Sequence, residues 1–495
     1  MLFNSLHFLI FYPVVTLVYF LLPTVRFRNI LLLIASYYFY MQYKPEYGLL
    51  MLLSTAIDYF AALGISQTSK KPVKRLWLAL SLMGNLGMLF FFKYFNFFNM
   101  NVARVLSLFN VSYQPLSIDV LLPIGISFYT FQTLSYTIDV YRGDMQPERD
   151  FFDFALYVSF FPQLVAGPIE RSTNLLHQLK IHHSFDTDRV ASGLRLMVYG
   201  FFKKVVIADR LAVIVDTVYN NPTQHSGVAY FIATFAFAFQ IYCDFSGYSD
   251  IAIGCARVMG VDLMKNFERP YFSKSVTEFW RRWHISLSSW FRDYLYIPLG
   301  GSKKGYFRTL LNLLVIFTVS GLWHGASWTF VIWGVLNGLA IVIERILGIG
   351  KRARESEGAG GKKPWTLRFL KGLVNIIPMV MTFAFICFTW VFFRARTVSE
   401  ALYMLPRFLV GLDTFDLSKF LGTRVILGLD YWEFFTVIGV VLLLVFLEMV
   451  QAVVKPSKVL ARMPSPVRLA VYALSLSLVI WLAWTETQTF IYFAF

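Results

Sequence analysis

His324 stands in Gly321-Leu322-Trp323-His324-Gly325-Ala326-Ser327-Trp328, almost midway along a run from Thr309 to Ile343 that contains no Asp, Glu, Lys or Arg. An ionisable side chain in so apolar a setting is costly and needs a compensating reason. A desolvated imidazole stays neutral, because burial disfavours the cation. In that form it can take a proton from a hydroxyl attacking an acyl carbonyl, which is general-base work. The flanking glycines let backbone or substrate approach closely. A packed histidine hydrogen-bonded to a neighbouring helix would account for the same residue without chemistry.

His284, in Glu278-Phe279-Trp280-Arg281-Arg282-Trp283-His284-Ile285-Ser286-Leu287-Ser288, is a second candidate. It could face the site of His324 as an orienter or proton relay, or sit at the membrane interface with its polar tip wet. Two histidines so far apart in sequence do not make a metal site, and no metal is expected. Gln240-Ile241-Tyr242-Cys243-Asp244-Phe245-Ser246-Gly247-Tyr248-Ser249-Asp250 brings Asp244 and Asp250 beside a long apolar segment. Burial there demands partners such as Arg281 and Arg282, and a structural ion pair is the reading. Phe161–Arg171 carries two prolines and a glycine in an apolar stretch, which suggests irregular backbone buried in protein or lining a cavity. Asp186-Thr187-Asp188 imitates a glycosyltransferase signature but reads as a helix N-cap. No Gly-x-Ser-x-Gly elbow is present, so the chain carries no recognisable serine hydrolase.

The elements that must position these groups lie in lipid. Of 495 residues, 57% are hydrophobic and only 15% charged, with a mean hydropathy of +0.58. A soluble chain carries about 25% charged residues. Ser5–Thr24, Leu76–Phe92, Val120–Ile138, Thr217–Cys243, Leu373–Phe393 and Leu469–Thr485 are also free of charged residues. A helical span needs roughly 20 apolar residues. About a dozen segments pass this criterion, predicting an all-α polytopic membrane protein. The first apolar stretch lacks a basic region before it and a small-residue cleavage site after it, so a retained span is expected. Cys243, Cys255 and Cys387 give neither a disulfide framework nor metal spacing.

The net charge of +16 resides in loops: Arg26 and Arg28, Lys70 to Arg75, Lys351 to Lys371, and Lys455 to Arg468. Basic loops mark the cytoplasmic side, which places both termini outside. This accounts for the charge without a nucleic-acid partner. Residues 351–363 read as a cytoplasmic basic and Gly-rich linker. Between Arg257 and Arg308, Trp280, Trp283, Leu287, Trp290, Phe291 and Tyr294 recur at helical spacing beside Arg281, Arg282 and Arg292. That spacing predicts an amphipathic helix at, or re-entering, the interface. No stretch is long and polar enough for a soluble catalytic domain, and residues 1–495 read as one integral-membrane domain.

Taken together, the chain resembles the membrane-bound O-acyltransferase family, in its branch of bacterial alginate O-acetyltransferase membrane subunits. The resemblance rests on Phe161–Arg171, Tyr242–Gly254, Phe279–Trp290, Tyr294–Gly301, Gly321–Trp328 and the ending Phe490-Ile491-Tyr492-Phe493-Ala494-Phe495. It implies a ring of tilted and re-entrant helices around a transmembrane tunnel. It implies transfer of an acyl group, usually acetyl, from a cytoplasmic thioester such as acetyl-CoA towards a polysaccharide outside. By motif match His324 corresponds to the family's catalytic histidine and His284 to the branch's second histidine. In related systems an aromatic tail carries a tyrosine thought to bear the acyl group, here Tyr492. This sequence departs from the usual ending at Ala494, where a glutamine is common. A phenol is a poor nucleophile at its free pKa near 10 and needs an adjacent base, which His324 could supply if the tail (485–495, extracytoplasmic) folds back.

The expected protein is therefore the inner-membrane subunit of an envelope polysaccharide O-acetylation system, with an extracytoplasmic SGNH hydrolase-like partner and no permanently bound cofactor. Asp244, Asp250, Arg281 and Arg282 would support the tunnel. Two alternatives stand beside it. One is a polysaccharide or lipid-intermediate transporter with His324 as gate or proton relay. The other is the same fold acylating a protein or lipid directly.

Overall fold

The computed structural model describes residues 1–118, 121–165, 167–225, 227–349, 365–414, 416–454, 459–460, 462–484 and 490–491. Helices account for nearly all of the regular structure. Among the described residues the one sheet is a pair of short antiparallel strands, Val425 facing Asp430 and Ile426 facing Leu429. Leu427 and Gly428 between them take positive φ, the two-residue turn that matches strand twist.

The charge-free windows become helices, and capping residues set where several begin. Ser5, Thr24, Ser275 and Ser327 each accept a backbone N–H from the first turn of the helix that follows. Among the described residues, eight helices are long and apolar enough to cross a membrane: Pro45–Ser66, Lys71–Leu108, Val228–Val258, Tyr306–His324, Trp328–Ile346, Ile376–Arg394, Tyr431–Val453 and Ser465–Leu482. The dozen segments expected from sequence include shorter pieces, such as the 16-residue Leu6–Leu21 and the 17-residue Ile126–Arg142. In Ser465–Leu482, Leu469, Leu474 and Trp481 are exposed, which suits hydrocarbon and not water. This is an all-α polytopic membrane protein.

The chain divides into two compact units, residues 1–197 with 248–265 and residues 198–247 with 266–495. In the first unit, the buried carboxylate of Asp58 accepts hydrogen bonds from Ser81 Oγ, Asn85 Nδ2 (2.8 Å) and Thr137 Oγ1 (2.9 Å), so two neighbouring helices satisfy one intramembrane carboxylate. The irregular backbone expected in Phe161–Arg171 is present: one helical turn, Phe161–Leu164, is followed by non-helical chain at Val165 and over 167–171. There the buried Glu170 accepts hydrogen bonds from Asn174 Nδ2 (2.8 Å) and the Met264 N–H. Burial pushes its carboxyl up to about 7. Asp186 caps the next helix as expected, accepting the N–H groups of Asp188 and Arg189 at 2.9 and 3.0 Å.

In the second unit the long charge-free run from Thr309 is a helical hairpin. Tyr306–His324 and Trp328–Ile346 are joined through Gly325, Ala326 and Ser327. Glycines let these helices touch backbone to backbone. A Cβ on Gly321 would lie 2.3 Å from the Phe330 carbonyl oxygen, and one on Gly334 2.3 Å from that of Phe317. The amphipathic stretch is not one helix. Val276–Arg282 and Ile285–Phe291 are separate, divided at Trp283 and His284, where His284 takes φ 45°. Its apolar stripe is real, with Trp280, Trp283, Leu287, Trp290 and Phe291 all buried.

Candidate functional site

His324 is the last residue of the first hairpin helix, so the glycine-tight crossing that fixes the hairpin also fixes the imidazole. A Cβ at Gly325 would meet the Phe330 ring at 2.2 Å, so the residue after the histidine has room for a hydrogen and nothing larger. The His324 ring is packed by Trp323, Trp333 and Phe393, with centroids 4.9, 5.1 and 5.6 Å away. Trp333 in turn stacks on Trp390 at 5.8 Å. The imidazole is thus boxed by aromatic rings from the hairpin and from the Trp365–Arg394 helix.

His284 is placed by its backbone. The carboxylate of Glu344, near the end of the hairpin, accepts the N–H groups of Val276 and Thr277, which pins the first short helix at its positive end. Asn266 then holds the second: its carbonyl accepts Ile285 N–H at 2.9 Å, and its Oδ1 accepts Ser286 Oγ–H at 2.6 Å. Between these anchors His284 adopts the left-handed conformation, unusual for a residue with a Cβ though histidine tolerates it better than most. Its side chain is buried, and burial pushes the imidazole down to about 3. The ring lies 6.3 Å from that of His324, centroid to centroid. That is too far for a direct hydrogen bond between the imidazoles, yet a hydroxyl oxygen set between them would reach both. The two histidines singled out from sequence thus come together.

Asp244 is buried, but its cation is not the one expected. Arg281 is exposed and Arg282 pairs with Glu278 one turn earlier, leaving neither for Asp244. Instead Lys204 Nζ lies 2.7 Å from Asp244 Oδ1 and 2.8 Å from Asp209 Oδ1, a triad whose three members are almost wholly buried. Lys204 is long enough to reach the interior from the adjoining turn, whereas an exposed arginine would have to give up its hydration. Asp250 is half-buried and belongs to the other compact unit. Sequence reading missed Lys204 and Asp209. The signal was present, since a lysine and an aspartate in an apolar stretch each require a partner.

The other oxygen of Asp244 holds the C-terminal tail. Ile491 N–H donates to Asp244 Oδ2 at 2.7 Å. Phe490, fully buried, packs on Phe245 at 5.9 Å, and Phe245 packs on His284 at 4.7 Å. Of the tail, Phe490 and Ile491 are described; Tyr492, Ala494 and the 351–363 linker lie outside the described residues.

Residues 2–349 match the model of the membrane-bound O-acyltransferase family. The chain is 40% identical over 423 residues to a protein of Pseudomonas aeruginosa named probable alginate O-acetylase AlgI, covering 85% of this chain and 76% of that one. It is 36% identical over 446 residues to the peptidoglycan O-acetyltransferase of Helicobacter pylori, covering 83% and 80%. It is 25% identical over 284 residues to the teichoic acid D-alanyltransferase of Bacillus subtilis, covering 55% and 69%.

Proposed function

Proceeding from the premise that this chain belongs to the membrane-bound O-acyltransferase family, and is thus a multi-pass membrane acyltransferase, we propose that it moves acetyl from cytoplasmic acetyl-CoA across the membrane for O-acetylation of a cell-envelope or exported polysaccharide. The names of the relatives, alginate and peptidoglycan O-acetylation, support that acceptor class. The observation that carries the reading is the buried histidine pair, 6.3 Å apart, with Phe490 and Ile491 of the tail anchored beside it.

In this reading His324 is the general base and His284 assists. The Tyr492 hydroxyl gives its proton to His324 as its oxygen attacks the thioester carbonyl carbon. The carbon–sulfur bond breaks, and coenzyme A leaves as the thiol on receiving that proton. The product is an acetyl ester of the phenol, a good leaving group. A serine of an extracytoplasmic SGNH hydrolase-like partner, or the polysaccharide hydroxyl itself, then attacks the ester and frees the tyrosine. The protein sits in the inner membrane with both termini outside.

The test is transfer from radiolabelled acetyl-CoA to purified wild type, His324→Ala and Tyr492→Phe, with tryptic mapping of the adduct. Label on the C-terminal peptide of wild type is expected. It should fall by about a hundredfold or more without the base, and vanish without the phenol. A folded wild type whose tail takes no label, while acetyl still reaches the glycan once the partner is added, would sink the tyrosine carrier and leave direct transfer to the acceptor.

A further inference from the structure

The chain is fastened once just before the tail and once within it, and both holds lead to one stretch of chain. Where the Ser465–Leu482 helix ends, Trp484 N–H donates to the Val205 carbonyl at 2.9 Å and Arg210 Nη1 donates to that of Leu482. Arg210 is itself braced by Glu433 at 2.6 Å. Further on, Ile491 N–H meets Asp244, which Lys204 grips. Residues 204, 205 and 210 thus hold the tail on either side of 485–489. The grip at Ile491 is on the main chain, so it fixes the register of the tail whatever its side chains are. Phe490 and Ile491 add buried apolar surface that makes the seat worth occupying.

We propose that Asp244 and Lys204 are positioning residues: they form a main-chain latch for the C-terminal tail, setting the register that brings the residue after Ile491 to the histidine pair. Neither touches the reacting atoms. Lys204, shared with Asp209, aims the Asp244 carboxylate, and the carboxylate binds the tail. The last step, delivery of Tyr492, rests on the acyl-carrier reading above; the latch itself does not.

Hydrogen–deuterium exchange of the full-length protein in nanodiscs, read on the C-terminal peptide, tests the latch without any acyl donor. Asp244→Ala is expected to speed exchange at the tail by about tenfold or more, the change from losing one hydrogen bond to a charged group. Asp244→Asn, which keeps an acceptor oxygen, should retain most of the protection. Ile491→Pro removes the donor and leaves the triad intact, so it reports even if the alanine variant fails to fold; the remaining tail amides should exchange faster. Unchanged tail exchange in a folded Asp244→Ala or in Ile491→Pro overturns the latch. Acetyl labelling is measured in parallel. A released tail with undiminished labelling would uphold the latch and sink the tyrosine carrier, so the two failures are told apart.

Discussion

At the scale of the residue, the site holds groups in states that water would not permit. His284 sits at φ 45° and is buried, a strained backbone and a desolvated ring that its surroundings must over-determine. Asn266 and Glu344 do so from outside the segment. Glu170 shows the same physics in the first unit, and its sign can be worked out. Its folded pKa, about 7, is raised above its ordinary 4.5 by burial, so the folded state binds the proton more tightly than the unfolded one. The associated stability is complete below about 4.5 and is lost as pH rises through about 7. Moving from pH 5 to pH 8 should therefore destabilise the protein through this group, by about 3 kcal/mol at most. Glu170→Gln should remove that component, and comparing the thermal unfolding midpoints of the two proteins at both pH values will show whether it does.

At the scale of the element, the hairpin carrying His324 depends on glycines that face a backbone. Gly334→Ala would set a Cβ 2.3 Å from a carbonyl oxygen and should destabilise by about 1–3 kcal/mol, read as a lower unfolding midpoint in detergent. Gly439→Ala, in the Tyr431–Val453 helix with nothing within 4 Å of its Cβ, is the control. It should leave the midpoint unchanged or raise it, since alanine is the better helix former. The spans themselves were legible because charge-free runs have no soluble explanation. The hairpin turn was not, because Gly325 to Ser327 carry no charge to interrupt the run. The break at His284 was equally hidden. Helical spacing of aromatics continues through it, and the cause is Asn266, many residues upstream. Of the site, the two histidines stood out as isolated polar groups in apolar sequence. The Lys204–Asp244 pair did not, since only tertiary packing says which buried charge meets which. The tail's aromatics read equally well as an interfacial anchor.

At the scale of the whole molecule, the chain is an acyltransferase in which Phe490 and Ile491, near its end, are seated on Phe245 and Asp244 beside His284. The family match ends at residue 349, yet Phe393, Trp390 and Ile491 beyond it help to complete the surroundings of residues within it. In the proposed reading the tail carries the acceptor, and its tether holds that acceptor at an effective concentration of about millimolar or higher, however dilute the protein. Self-acetylation should then be first order and indifferent to dilution. Mixing a His324→Ala chain, with its tail intact, and a Tyr492→Phe chain, with its base intact, should yield no labelled tail. Efficient complementation between the two would mean that the acceptor travels from one molecule to another, and that the seat at Asp244 receives visitors.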